Sequence, residues 1–217
     1  MNKEFEYISY RSRRNKIITD NKFYQSLCKL SFQNHIEYML NTNQLLNLEI
    51  GFGSGEFIFY RAKRDKDNIY IGSEVYNPGI AQLLSKIEKN NVDNIYIFND
   101  DARDLLNKIP NELFNNIYIL FPDPWPKKKH FKRRLINTNF LKFIATKFSS
   151  NLFIITDHLN YAENILYDVL QSNCLTIKKM KISNTSFFRT KYESKALKNL
   201  NTIFSFALTH NTDNHAL

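Results

Sequence analysis

The sequence predicts an α/β fold: a mostly parallel, seven-stranded sheet with helices on both faces and an antiparallel hairpin at one edge. Three observations carry this. Five short, apolar, β-branched runs alternate with stretches of helical spacing, the pattern of strands buried on both faces. All five glycines (Gly51, Gly53, Gly55, Gly72, Gly79) fall in one early stretch, so backbone freedom is concentrated there. Toward the C-terminus two more strand-like runs follow each other with only a polar connection between them.

Taken in order, residues 1–40 are polar and mixed, with a basic group at Arg11, Arg13, Arg14 and Lys16. Phe23, Leu27, Leu30, Ile36 and Met39 then recur at loosely helical spacing. This stretch reads as a basic N-terminal arm, partly flexible and ordering on a partner, ahead of one domain over 41–217. The apolar runs Leu45–Ile50, Ile69–Glu74, Ile95–Phe98, Ile117–Phe121 and Leu152–Thr156 are the parallel strands. Glu56–Lys63, Ile80–Lys89, Arg134–Lys147 and Tyr161–Gln171 are the helices between and after them. Leu175–Ile182 and Thr202–Leu208 form the edge hairpin.

Composition narrows the class. A hydrophobic fraction of 43% over 217 residues suffices for a core and excludes wholesale disorder. No run approaches the roughly 18 apolar residues of a membrane span, and the charged N-terminus has no secretory pattern. Cys28 and Cys174 fit neither a disulfide framework nor a metal site. The expectation is a soluble, cytoplasmic protein without a metal or a membrane. Its net charge of +9 suits a polyanionic partner, against the alternative of a plain solubility charge.

Leu48-Glu49-Ile50-Gly51-Phe52-Gly53-Ser54-Gly55-Glu56 ends one strand and opens a helix. A glycine turn there lets a nucleoside lie against the backbone. Glu56 stands where a pyrophosphate would need attraction, which disfavours NAD. A phosphate-free cofactor with a cationic centre suits the turn better, and S-adenosylmethionine has that character. Glu49, Glu74 and Asp101 sit at the ends of successive strands, where ligands of parallel sheets bind. Any one of them alone reads as a cap or a loop acid; together they predict a nucleoside pocket.

The second constellation is Phe121-Pro122-Asp123-Pro124-Trp125-Pro126. Alternating prolines stiffen the loop and hold Asp123 in place, as a reaction site needs; a rigid turn with Trp125 as a core plug is the plainer reading. The run Lys127-Lys128-Lys129-His130-Phe131-Lys132-Arg133-Arg134 follows directly. Its charge can hold phosphates, with Trp125 and Phe131 available for base stacking.

These residues resemble the bacterial tRNA (guanine-7-)-methyltransferase family, a class I, Rossmann-like, S-adenosylmethionine-dependent group. The resemblance runs from about Leu48 to Lys195 and includes LEIGFGSGEF, Gly72-Ser73-Glu74-Val75, Asp101-Ala102, FPDPWPKKKHFKRR, Thr156-Asp157 and Thr190-Lys191-Tyr192-Glu193. His158 and Tyr76-Asn77 depart from the usual pattern. The resemblance implies methyl transfer to nitrogen 7 of a tRNA guanosine, at variable-loop position 46; the rival readings are methylation of another RNA base and a non-catalytic RNA-binding protein on the same scaffold. It implies that Glu49, Glu74, Asp101 and Asp123 line the cofactor pocket, beside the turn of Gly51, Gly53 and Gly55 that the residues themselves point to; Asp123 in its stiff loop is the expected catalytic residue. Lys127, Asp157, Thr190, Lys191, Tyr192 and Glu193 would contact substrate. Lys129, His130, Phe131, Lys132, Arg133 and Arg134 would contact tRNA. Family members occur as monomers and homodimers.

Overall fold

The computed structural model describes residues 21–183 and 190–211. Helix α1 (Asn21–Lys29), a 3-10 turn (Phe32–His35) and α2 (Ile36–Asn41) precede β1 (Leu46–Ile50). Then come α3 (Glu56–Arg64), β2 (Ile69–Ser73), α4 (Asn77–Asn90), β3 (Ile95–Phe98), α5 (Ala102–Lys108) and β4 (Phe114–Leu120). A second 3-10 turn (Lys128–Arg133) leads to α6 (Thr138–Ala145), β5 (Phe148–Thr156), α7 (Leu159–Ser172), β6 (Leu175–Ser183), α8 (Lys191–Lys198) and β7 (Ile203–His210). Among the described residues no helix is long and apolar enough to cross a membrane.

The seven strands form one sheet in the order β3-β2-β1-β4-β5-β7-β6. β1 to β5 pair in parallel, while β7 runs antiparallel to both β5 and β6. Strand order reverses between β1 and β4, so a crevice opens beyond their carboxyl ends. One face packs Leu48, Ile71, Ile117, Ile154 and Phe206 against α5, α6 and α7. On the other face, α3 and α4 cover Tyr70 and Ile97, and α3 and α8 cover Tyr118 and Ile155.

Local chemistry sets the helix ends. Pro78 lies in the first turn of α4, where its missing N–H is no loss, and Asn91 closes that helix at φ 50°. Asn137 caps α6 by accepting a hydrogen bond from the Phe140 amide (3.0 Å), so α6 starts later than the helical reading from Arg134. Two helices appear where none was predicted. Seven-residue α5 starts on an Asp101 cap, and α8 occupies the polar connection of the hairpin.

The arm boundary also differs. Phe23, Phe32 and Met39 are buried in the core, and the Ile97 amide donates to the Leu30 carbonyl (2.7 Å). Burying each such side chain contributes roughly 1.5–3 kcal/mol. Residues 21–40 are thus a packed part of the fold, while the Arg11–Lys16 group lies outside the described residues.

A polar rung crosses three strands. The Asn116 amide donates to Asn47 Oδ1 (3.0 Å), and the Asn151 amide to Asn116 Oδ1 (3.1 Å). Asn47 and Asn116 are register partners, as are Asn116 and Asn151.

Candidate active site

After β1 the chain turns through Gly51, Gly53 and Gly55 at φ 72°, 57° and 71°, a region costly for any side chain. Gly79 answers a different demand. A Cβ there would lie 2.0 Å from the Gly53 carbonyl oxygen, so only glycine lets the first turn of α4 press against this loop.

Glu74, one residue beyond β2, holds the loop in shape. Its Oε2 accepts from the Gly53 amide (2.7 Å), and its Oε1 from the amides of Val75 (2.8 Å) and Tyr76 (2.9 Å). Burial nevertheless raises its pKa above the usual carboxylate value, the three amides opposing that rise. Glu49 lies beneath the turn, 4% exposed, accepting from the Ile58 amide (3.0 Å). Desolvation pushes its pKa up to about 8, so near neutrality this group is largely uncharged.

Two expectations about charge shift here. Lys86 of α4 reaches Glu56 (3.3 Å) and also donates to the Ser54 carbonyl (2.7 Å), which offsets the repulsion assigned to Glu56. Asp101 caps α5 through the Arg103 amide and is clamped by the Arg103 guanidinium at 2.9 and 2.7 Å. It does not line the cleft as Glu74 does.

The Asp123 loop leaves β4 with two aromatic residues in the left-handed region, Phe121 at φ 53° and Trp125 at φ 44°. Each such residue costs about 1–3 kcal/mol and persists only where its surroundings impose it. The anchors are visible. The Phe121 amide donates to the Ile155 carbonyl (2.8 Å), and Arg134 Nε donates to the Pro124 carbonyl (2.9 Å). Asp123 is accessible to solvent, yet the cleft walls strip enough water from its carboxyl to raise its pKa.

Arg134 corrects the reading of the basic run. It is 6% exposed, held between the rings of Phe131 (3.7 Å) and Tyr161 (4.7 Å), and it donates to the side chains of Asn160 (2.9 Å) and Asn164. It is an internal tie, turned away from the surface that the exposed lysines occupy. Lys127, Lys129 and Lys132 remain exposed, while His130, Phe131 and Arg133 are half-buried. Arg133 lies over the Trp125 ring at 4.9 Å, and His130 meets the edge of that ring at 5.7 Å.

Two cavities meet at this loop. One of about 440 Å³ is bordered by Gly51, Gly53, Glu74, Asp123, Trp125 and Tyr192. The other, about 310 Å³, is bordered by Asp123, Asp157, Tyr192, Lys195 and Asn201. Asp123 and Tyr192 belong to both walls. Asn201 donates to Asp157 Oδ2 (2.9 Å) and fixes it there.

The remaining expected substrate residues divide. Thr190 caps α8, its hydroxyl accepting from the Glu193 amide (3.0 Å), and Glu193 is fully buried, so both organise the helix that presents Tyr192. Lys191 is exposed. Lys127 borders neither cavity. Lys195 and Asn201 escaped sequence reasoning; the available signal was the i, i+4 spacing of Lys195 from Lys191.

A family model described as a putative methyltransferase matches residues 43–206. The chain is 39% identical over 201 residues to the tRNA (guanine-N(7)-)-methyltransferase of Wolbachia pipientis wMel, covering 90% of this chain and 89% of that one. It is 33% identical over 206 residues to the protein of the same name from Neorickettsia sennetsu, covering 93% and 89%. Among solved structures, an antibiotic-related methyltransferase superposes with a TM-score of 0.63 at 17% identity, covering 82% of this chain and 94% of that one. The 16S rRNA methyltransferase KamB does so at 0.58 and 9%, covering 92% and 97%. These two likenesses speak for the fold alone. The sequence relatives, spanning nearly the whole chain, go further: it belongs to the tRNA (guanine-N(7)-)-methyltransferase family.

Proposed function

We infer that the chain transfers a methyl group from S-adenosylmethionine to nitrogen 7 of a guanosine in tRNA. The observation that carries the site assignment is the shared wall. Asp123 and Tyr192 border both a glycine-floored cleft and a second cavity that opens between Asp157 and Lys195. A cofactor and a base seated in these two spaces meet at the Asp123 loop.

The residues of the first cleft fit the cofactor. Positive-φ glycines leave the loop backbone bare for a nucleoside, and Glu74 spends three of about four acceptor positions on amides, leaving one for a ribose hydroxyl. Glu49 supports this turn from below, and Asp101 acts through the cap of α5. When bound, S-adenosylmethionine supplies an electrophilic methyl on a cationic sulfur.

Nitrogen 7 of guanine carries a lone pair and no proton, so attack needs no general base. The protein's work is alignment and field. Asp123 cannot hydrogen-bond nitrogen 7, because both are acceptors. It instead takes donors on the base's Watson–Crick edge or stabilises positive charge developing on the ring. Asp157, fixed by Asn201, offers a second acceptor for those donors, and Tyr192 supplies a face against which the base packs. Lys129, Lys132 and Arg133 hold tRNA phosphates beside the loop.

The test is incubation with unmodified tRNA and methyl-labelled S-adenosylmethionine, followed by digestion to nucleosides. Labelled 7-methylguanosine is the expected product. Another methylated nucleoside, or none, refutes the assignment.

A further inference from the structure

Helix α8 carries Lys191, Lys195 and Lys198 at i, i+4 and i+7, so all three share one face and span about 10 Å along the axis. All are exposed, and none makes an ion pair or side-chain hydrogen bond among the described residues. The acid of this helix, Glu193, is fully buried on the opposite side with Ala196, so the helix itself brings no carboxylate to its exposed face.

Helix stability explains only part of such a face. Like charges at i, i+4 oppose folding by about 0.2–0.5 kcal/mol per pair. Lys195 and Lys198 lie in the last turn, where the helix dipole favours cations, but Lys191 is the first residue of α8, the end where it repels one. A bound polyanion would relieve both penalties.

Position points to the ligand. Tyr192 borders the glycine-floored cleft together with Trp125 and Arg133, and Lys195 borders the Asp157 cavity. The lysine face therefore touches the base cavity at Lys195, and its neighbour Tyr192 shares a cleft with Arg133 of the basic 3-10 turn.

We propose that Lys191, Lys195 and Lys198 form a second phosphate-binding wall for the tRNA, so that the strand flanking the target nucleotide is gripped on both sides of the cavity. This rests on the tRNA-methylation reading. It adds a contact surface that neither the basic run nor the fold requires.

The test compares two triple variants of the full chain. Lys191→Gln/Lys195→Gln/Lys198→Gln removes the wall. Lys66→Gln/Lys89→Gln/Lys108→Gln removes the same charge near the far ends of α3, α4 and α5. The affinity for tRNA is measured from 50 to 200 mM salt. Each lost phosphate contact flattens the log–log slope by about 0.7–0.9, so the α8 variant should be shallower by about 2 units, with the KM for tRNA raised about tenfold or more. Its affinity for S-adenosylmethionine should match wild type, which shows that the fold is intact. The three single variants should each flatten the slope by about 0.7–0.9. Wild-type slope and KM in the α8 variants, or an equal change in the remote variant, overturns the proposal. Wild-type protein that fails to bind or methylate tRNA overturns the reading beneath it instead.

Discussion

Replacing Arg134 by methionine keeps the volume of the side chain and removes its donors. Three acceptors lose a partner: the Pro124 carbonyl and the side chains of Asn160 and Asn164. A hydrogen bond from a charged donor is worth about 1.5–3 kcal/mol. Asn160 is exposed and recovers water, so two of the three bonds count. Stacking on Phe131 and Tyr161 adds about 1–2 kcal/mol. Against this, the variant no longer pays to desolvate a guanidinium, a saving of several kcal/mol. The net loss is about 2–4 kcal/mol, a fall in Tm of roughly 5–12 °C for a chain of this size. Freeing the Pro124 carbonyl also loosens Asp123, so kcat should fall at saturating tRNA. Urea denaturation reads the stability, and the salt dependence of tRNA binding reads the alternative role. A lysine at 134 keeps the charge but not the fork, so it should restore only part of the loss. If Arg134→Met keeps wild-type stability and flattens the salt slope, Arg134 is an RNA contact and the reasoning fails.

Asp123→Ala should lower turnover by about 10²–10³-fold while S-adenosylmethionine affinity stays within about threefold; calorimetric titration beside a single-turnover assay separates the two. Glu49 has a folded pKa of about 8, above its unfolded value, so the native state binds more protons between roughly pH 4.5 and 8 and its stability falls as pH rises through that window. Glu49→Gln should remove that slope and raise stability at pH 8 by roughly 1–4 kcal/mol; an unchanged pH profile in urea melts would count against the buried neutral carboxyl. Gly79→Ala forces a methyl onto the Gly53 carbonyl, and the overlap of about 1–3 kcal/mol should outweigh the roughly 1 kcal/mol that alanine contributes to a helix. Cofactor affinity should drop at least tenfold in the same titration, and wild-type affinity would show that the loop has room to move.

The parallel core was legible because burial on both faces forces continuous apolar runs, and the glycine turn because its φ values exclude other residues. Several misses have physical causes. Helix α5 is short and rests on a single cap, so its periodicity never develops. Helix α8 buries a glutamate and an alanine where a pattern search expects large apolar residues. Phe23, Phe32 and Met39 sit among polar neighbours, and only the sheet they touch shows them to be core. Asp101 and Glu74 both follow successive strands, at three residues and one residue past the strand end, and an arginine two residues further on claims the first. Within FPDPWPKKKHFKRR nothing local says which cation turns inward; Asn160, Tyr161 and Asn164, far along the chain, decide it.

The rung of Asn47, Asn116 and Asn151 has a consequence beyond its two hydrogen bonds. A slip of one residue in β1, β4 or β5 would break the ladder and turn every side chain of that strand to the wrong side. These are the strands whose far ends deliver Glu49, Asp123 and Asp157. The three amides thus act as a common datum line from which each strand measures out its carboxylate, and the spacing of acids around the crevice is set at the opposite end of the strands.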